Sequence, residues 1–152
     1  MADGGNGWKA DVDDGAARVT TNGMLRVGIF AAGLIVLSGC SDVCVNEQVS
    51  HTDAPDGLHR AVMFQRDCGA TTGFSTQISL VKPGDEPSGG GNTFRADADH
   101  GAVVTGDWGG PWADMEWLAP DHLRIRYAAK SRLFEQADQV SGVKISYEQV
   151  AR

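Results

Sequence analysis

The chain has 152 residues, a formal net charge of −7, 41% hydrophobic and 22% charged residues. No basic stripe runs through it, which argues against a nucleic-acid partner. Its length supports one principal domain with a modest core.

Residues 1–23 carry Asp3, Asp11, Asp13 and Asp14 against Lys9 and Arg18. Signal peptides begin basic, so this stretch reads as upstream sequence or a disordered leader, with Met24 as the expected translation start. A long cytoplasmic leader is the alternative. Residues 24–39 read as a signal-peptide helix. The uncharged run 27–36 is too short for a span, which needs roughly 20 apolar residues, and it suits a signal core of roughly 7–15. It ends on Leu37-Ser38-Gly39-Cys40. That pattern resembles the lipobox of bacterial lipoproteins, which implies fatty acylation of Cys40 and cleavage before it. Two or more acyl chains anchor stably where one does not. The resemblance implies a cell-envelope location. With Ser41 after the cysteine, it points to the periplasmic face of the outer membrane in a host with two membranes.

From Cys40 onward ten Lys/Arg face sixteen Asp/Glu. Residues 40–54 are expected to form a tether, and 55–152 a β domain. With Cys40 assigned to lipid, Cys44 and Cys68 remain. An even pair in an oxidising compartment reads as a disulfide. The alternative of free thiols with a redox role lacks a Cys-x-x-Cys.

Strand signals then follow one another. Residues 58–66 read as a strand buried on both faces, with Val62 and Phe64 opposite Ala61 and Met63. In 74–81, Phe74, Thr76, Ile78 and Leu80 alternate with Ser75, Gln77 and Ser79, the period-two pattern of a half-buried strand. Residues 82–92 read as a long flexible loop rich in Gly and Pro. Weaker strands are expected at 93–95, 102–105, 115–118 and 132–135. Leu123, Ile125 and Tyr127 alternate with His122, Arg124 and Arg126; Val143, Ile145 and Tyr147 alternate with Lys144, Ser146 and Glu148. No 3.6-residue apolar period extends far. The expected fold is all-β, mainly antiparallel: a meander closing into a sandwich or barrel.

Two clusters are candidates for function. Residues 66–77 crowd Arg66, Asp67, Thr71, Thr72 and Ser75 around glycines. A Gly-rich turn can aim backbone N–H groups at an anion, so a small polar or anionic ligand is one reading. A disulfide-pinned hairpin whose threonines bond the turn is the other. The segment 108–112 sets Trp108 and Trp112 around Gly-Gly-Pro. Exposed there, they could stack on a sugar or anchor a protein; buried, Trp112 and Trp117 cap a core. Ser75 lacks the glycine spacing of a nucleophile elbow. Asp97, Asp99 and His100 offer too few ligands for calcium and no zinc spacing. No cofactor is called for.

The motifs at 66–77, Pro55-Asp56-Gly57 and Gly90-Gly91-Asn92 resemble an uncharacterised family of small bacterial envelope proteins and lipoproteins. That resemblance implies location and no mechanism. The expected function is a non-catalytic binding or interaction module, joined to the membrane by lipid, with an envelope protein or glycan as partner. The alternatives are a hydrolase using the Asp67–Ser75 region, or an inhibitor of a cationic lytic enzyme such as lysozyme.

Overall fold

The structure, a computed structural model, describes residues 43–151. The expected leader (1–23), the expected signal peptide (24–39) and Cys40 lie outside the described residues. Among those described, the strands are β1 (Val45–Asp53), β2 (Arg60–Asp67), β3 (Ser75–Val81), β4 (Phe94–Asp97), β5 (Ala113–Ala119), β6 (His122–Ala128), β7 (Arg132–Gln136), β8 (Gln139–Val140) and β9 (Val143–Val150). A single 3-10 turn, Asp99–Gly101, interrupts them. The all-β expectation holds.

The strands form two sheets, ordered β1-β2-β3-β4-β7 and β5-β6-β9-β8. Alternate residues of each turn inward. Ala61, Met63, Ile78, Leu80, Phe94 and Ala96 of the first sheet share one core with Leu123, Ile125, Tyr127, Val143 and Ile145 of the second. Of the two closures expected, the structure adopts the sandwich. Phe94 centres the core, 5.3 Å from the Tyr127 ring and 6.1 Å from that of Tyr147. The Tyr147 hydroxyl points at the carbonyls of Thr93 and Ala137, both at 2.9 Å. Burial, reinforced by Asp138 and Glu135, pushes that hydroxyl's pKa up.

Four local expectations change. Residues 45–53 are not tether but β1, an edge strand paired along β2 with a register shift between Gln48 and Ser50. Being largely exposed, it carries no apolar alternation to read. Leu58 stands outside β2 and is exposed. Residues 102–105 form no strand, only a Thr105–Pro111 bridge. Finally, β6 and β9 are parallel. Parallel neighbours need a long crossover; here the chain leaves β6, forms β7 in the other sheet, and returns through β8.

The loop after β3 is not loose either. Gln77 and Ser79, expected on a solvated face, are buried. Gln77 Oε1 accepts the Gly91 N–H at 2.7 Å, and Ser79 Oγ accepts that of Asn92 at 3.2 Å. The Asn92 amide acts as a substitute strand partner for Leu80, accepting its N–H and donating to its carbonyl, both at 2.9 Å. A Cβ on Gly91 would sit 2.8 Å from the carbonyl oxygens of both Ile78 and Phe94. Gly91→Ala is therefore expected to cost about 2 kcal/mol, in the range for overpacking; urea unfolding checks it.

Candidate functional site

The register lines up side chains across all five strands of the first sheet. Asn46 pairs with Arg66, Arg66 with Ser75, Ser75 with Asp97 and Asp97 with Arg132. The neighbouring row runs Gln48, Phe64, Gln77, Arg95, Glu135. Both rows lie on the outer face, because side chains alternate and the intervening residues fill the core. A cleft of about 680 Å³ lies over Arg66, Ser75, Gln77, Arg95, Asp97 and Arg132 of these rows. The turn residues Thr71, Thr72 and Phe74 wall one side, and His100 and Phe134 contribute to the rim.

Three guanidinium groups line this cleft, Arg66, Arg95 and Arg132, against one carboxylate, Asp97. Arg66 is buried, and its Nη1 donates to Asn46 Oδ1 at 2.6 Å and to the Gly89 carbonyl at 2.8 Å. Arg95 Nη2 reaches Glu135 Oε2 at 3.0 Å. Arg132 grips Asp97 with two bonds, Nε to Oδ1 at 3.0 Å and Nη2 to Oδ2. Its guanidinium also lies 5.1 Å from the centroid of the exposed Phe134 ring, a cation–π contact.

Partial burial pushes the Asp97 carboxyl up, but the Arg132 bonds and the Asp99 N–H outweigh it and hold the pKa below its ordinary value. The sign follows from proton linkage. The stabilisation is complete above the ordinary carboxylate pKa, about 4, and is lost as pH falls through the lower folded value. Asp97→Asn should therefore be less stable than wild type near neutral pH. Urea midpoints should show that gap closing as pH falls from about 7 to about 3.

The sequence cluster at 66–77 is brought to this cleft only in part. Arg66, Thr71, Thr72 and Ser75 line it; Asp67 does not. Asp67 Oδ1 instead accepts the Gly69 N–H at 2.8 Å. The Thr72 N–H and hydroxyl both donate to the Gly69 carbonyl at 3.0 Å. These amides are spent within the turn, so the positive charge in the cleft is supplied by arginines. The Ser75 hydroxyl donates to the Arg66 carbonyl at 3.3 Å and accepts from Gln77 Nε2 at 2.9 Å. No histidine or carboxylate shares those bonds. A Ser–His hydrogen bond does occur between Ser146 and His122 (2.9 Å). Among the described residues no carboxylate bonds that ring.

The tryptophans are not a protruding platform. Trp108 is half-buried against the core. Its Nε1–H donates to Thr76 Oγ1 at 2.7 Å, and Thr76 donates onward to the Pro111 carbonyl at 2.6 Å. Trp112 is half-buried too, its N–H on the Val104 carbonyl at 3.0 Å. Trp117 packs on the core and donates to the Thr52 carbonyl at 3.2 Å. Close packing at Gly110, where a Cβ would meet Thr76 Oγ1 at 2.5 Å, draws this loop inward. The exposed aromatic surfaces are instead Phe74 and Phe134. Sequence reading missed Arg95, Arg132 and Phe134. Their one local signal was a charged or aromatic side chain at a strand position facing away from the core.

Cys44 and Cys68 form the expected disulfide, Cα–Cα 4.1 Å. Cys68 itself borders the cleft. Among the described residues no His, Cys, Asp and Glu group is arranged to hold a metal ion. No helix of the described residues is long and apolar enough to cross a membrane. Fold and cleft together define a two-sheet β-sandwich with an arginine- and phenylalanine-lined depression on one outer face. No family model, curated protein or solved structure matches the chain.

Proposed function

We propose that this is a lipid-anchored envelope protein whose sandwich is a non-catalytic binding module, with the outer-face cleft as its ligand site. The observation that carries the binding reading is the composition of the cleft: Arg66, Arg95 and Arg132 line it, with Arg95 paired to Glu135 and Arg132 to Asp97, beside two exposed phenylalanine rings. Such a lining suits a ligand with an anionic group and an apolar part, since guanidinium forks match carboxylate and phosphate oxygens. The Asp67 carboxylate and the Thr72, Ser75 and Thr76 hydroxyls are committed to structural bonds, which favours binding over hydrolysis. The lipobox ending on Cys40 and the envelope-family resemblance of 66–77 support the location.

Two measurements test this. Mass spectrometry of protein from its native host should find a chain beginning at an acylated Cys40; an unmodified chain still carrying residues 24–39 overturns the anchor. Ligand-observed NMR should show 2-naphthoate, and not neutral 2-naphthamide, bound by wild type and released by Phe134→Ala or Arg132→Gln. Equal signals from all three proteins would remove the cleft as a site.

A further inference from the structure

Chain length alone limits how far the cleft can lie from Cys40. Cys68 borders the cleft and is bonded to Cys44. Cys40 lies four residues before Cys44. Four residues span at most about 14 Å when fully extended. With 4.1 Å from the Cα of Cys44 to that of Cys68, the acylated residue cannot stand farther than about 18 Å from the border of the cleft. The headgroup layer itself occupies about 5–8 Å on each side of the hydrocarbon. A ligand in that layer is therefore within reach.

Exposed apolar side chains gather at the same end. Of the seven large exposed hydrophobic residues among those described, Val43 and Val45 flank Cys44, Phe74 follows the Cys68 turn, and Phe134 lines the cleft. Val43 is 81% exposed and Val45 67%, a costly arrangement in water and a favourable one at an acyl boundary. The cleft beside them is lined by Arg66, Arg95 and Arg132, with Arg95 paired to Glu135 and Arg132 to Asp97. Arg132 and Arg95 keep solvent-facing surface, at 47% and 39% side-chain exposure.

We propose that the occupant of the cleft is the phosphodiester headgroup of an anionic phospholipid from the leaflet that holds the anchor. This rests on the anchored reading above. Arg132 and Arg95 keep their pairs with Asp97 and Glu135 and turn their remaining N–H groups to the phosphate oxygens, while Phe74 and Phe134 cover the glycerol and the first acyl carbons. A soluble phosphate would engage the arginines and leave the rings without a role.

The test uses the full chain carrying Cys40→Ser, so that headgroup recognition is measured without acylation, and the mass of the native protein judges the anchor separately. The probes are short-chain phosphatidylglycerol below its micellar concentration, the matching phosphatidylcholine, and glycerol phosphate, each titrated calorimetrically. Phosphatidylglycerol should bind about tenfold more tightly than either of the others, and its affinity should fall with added salt. Arg132→Gln and Phe134→Ala should each weaken it about tenfold. Equal affinity for glycerol phosphate assigns the site to a soluble phosphate and overturns the proposal; equal affinity for phosphatidylcholine removes the charge argument and does the same. Absence of binding, or binding that neither variant changes, also overturns it. Both substitutions are at exposed edge-strand positions, and an unchanged circular dichroism spectrum confirms that each variant is folded. If Arg132→Gln perturbs the fold, Phe134→Ala alone decides.

Discussion

Phe94→Ala should remove about 4 kcal/mol of stability, within the roughly 3–5 kcal/mol that deletion of a buried aromatic ring costs. The ring is fully buried, stands cross-strand from Ile78 on β3, and meets Tyr127 and Tyr147 from the opposite sheet. Its removal costs the transfer energy of the lost atoms and leaves a cavity that neither tyrosine can fill. Tyr147 is held by its hydroxyl on the carbonyls of Thr93 and Ala137, so its ring cannot swing into the space without breaking those bonds. Domains of this kind have about 5–15 kcal/mol in total, so the variant sits near the edge of folding. Urea unfolding followed by tryptophan fluorescence measures the loss. Phe94→Leu, which keeps much of the volume, should lose clearly less. A cost below about 1 kcal/mol for the alanine variant would mean that the two sheets do not share this core.

Loss of the Cys44–Cys68 bridge is expected to cost about 3 kcal/mol in the chain-entropy account, given its separation of 24 residues. The bridge crosses from the start of β1 to the residue after β2, the end at which β1 enters the sheet. Reduction restores freedom to the unfolded chain and leaves the edge strand free to fray from that end. Cys44→Ala with Cys68→Ala, and wild type under dithiothreitol, should show the same fall in urea midpoint. Cys40→Ser should leave that midpoint unchanged. Hydrogen exchange should show protection in β1 falling further than in β3, because β1 has one strand neighbour and β3 has two.

The strands that could be read from the chain are those with one face in the core and the other in water. β6 and β9 show this: Leu123, Ile125, Val143 and Ile145 are buried, and Arg124, Lys144 and Glu148 are not. β1 escaped notice because an exposed edge strand needs no such alternation. β3 was legible as a strand, but its outer face was misjudged. Gln77 and Ser79 are polar because they bond the following loop, and polarity there does not signal exposure to water. The parallel pairing of β6 with β9 leaves no local trace, since it depends on where the chain goes between them.

The same division runs through the cleft. Arg66, Thr71, Thr72 and Ser75 could be picked out because they crowd one short glycine-rich segment. Their neighbours Arg95, Arg132 and Phe134 come from β4 and β7, and only the ladder of pairs from Asn46 to Arg132 brings them to one surface. Trp108 was conspicuous in the chain, yet its indole N–H is bonded to Thr76. Local chemistry alone thus determined the all-β class and most strand positions, because hydrophobic alternation and turn residues act over a few neighbours. Strand order, the packed outer face of β3 and the arginine cleft were decided by tertiary structure, because hydrogen-bonded register joins residues far apart in the chain and no short-range pattern encodes it.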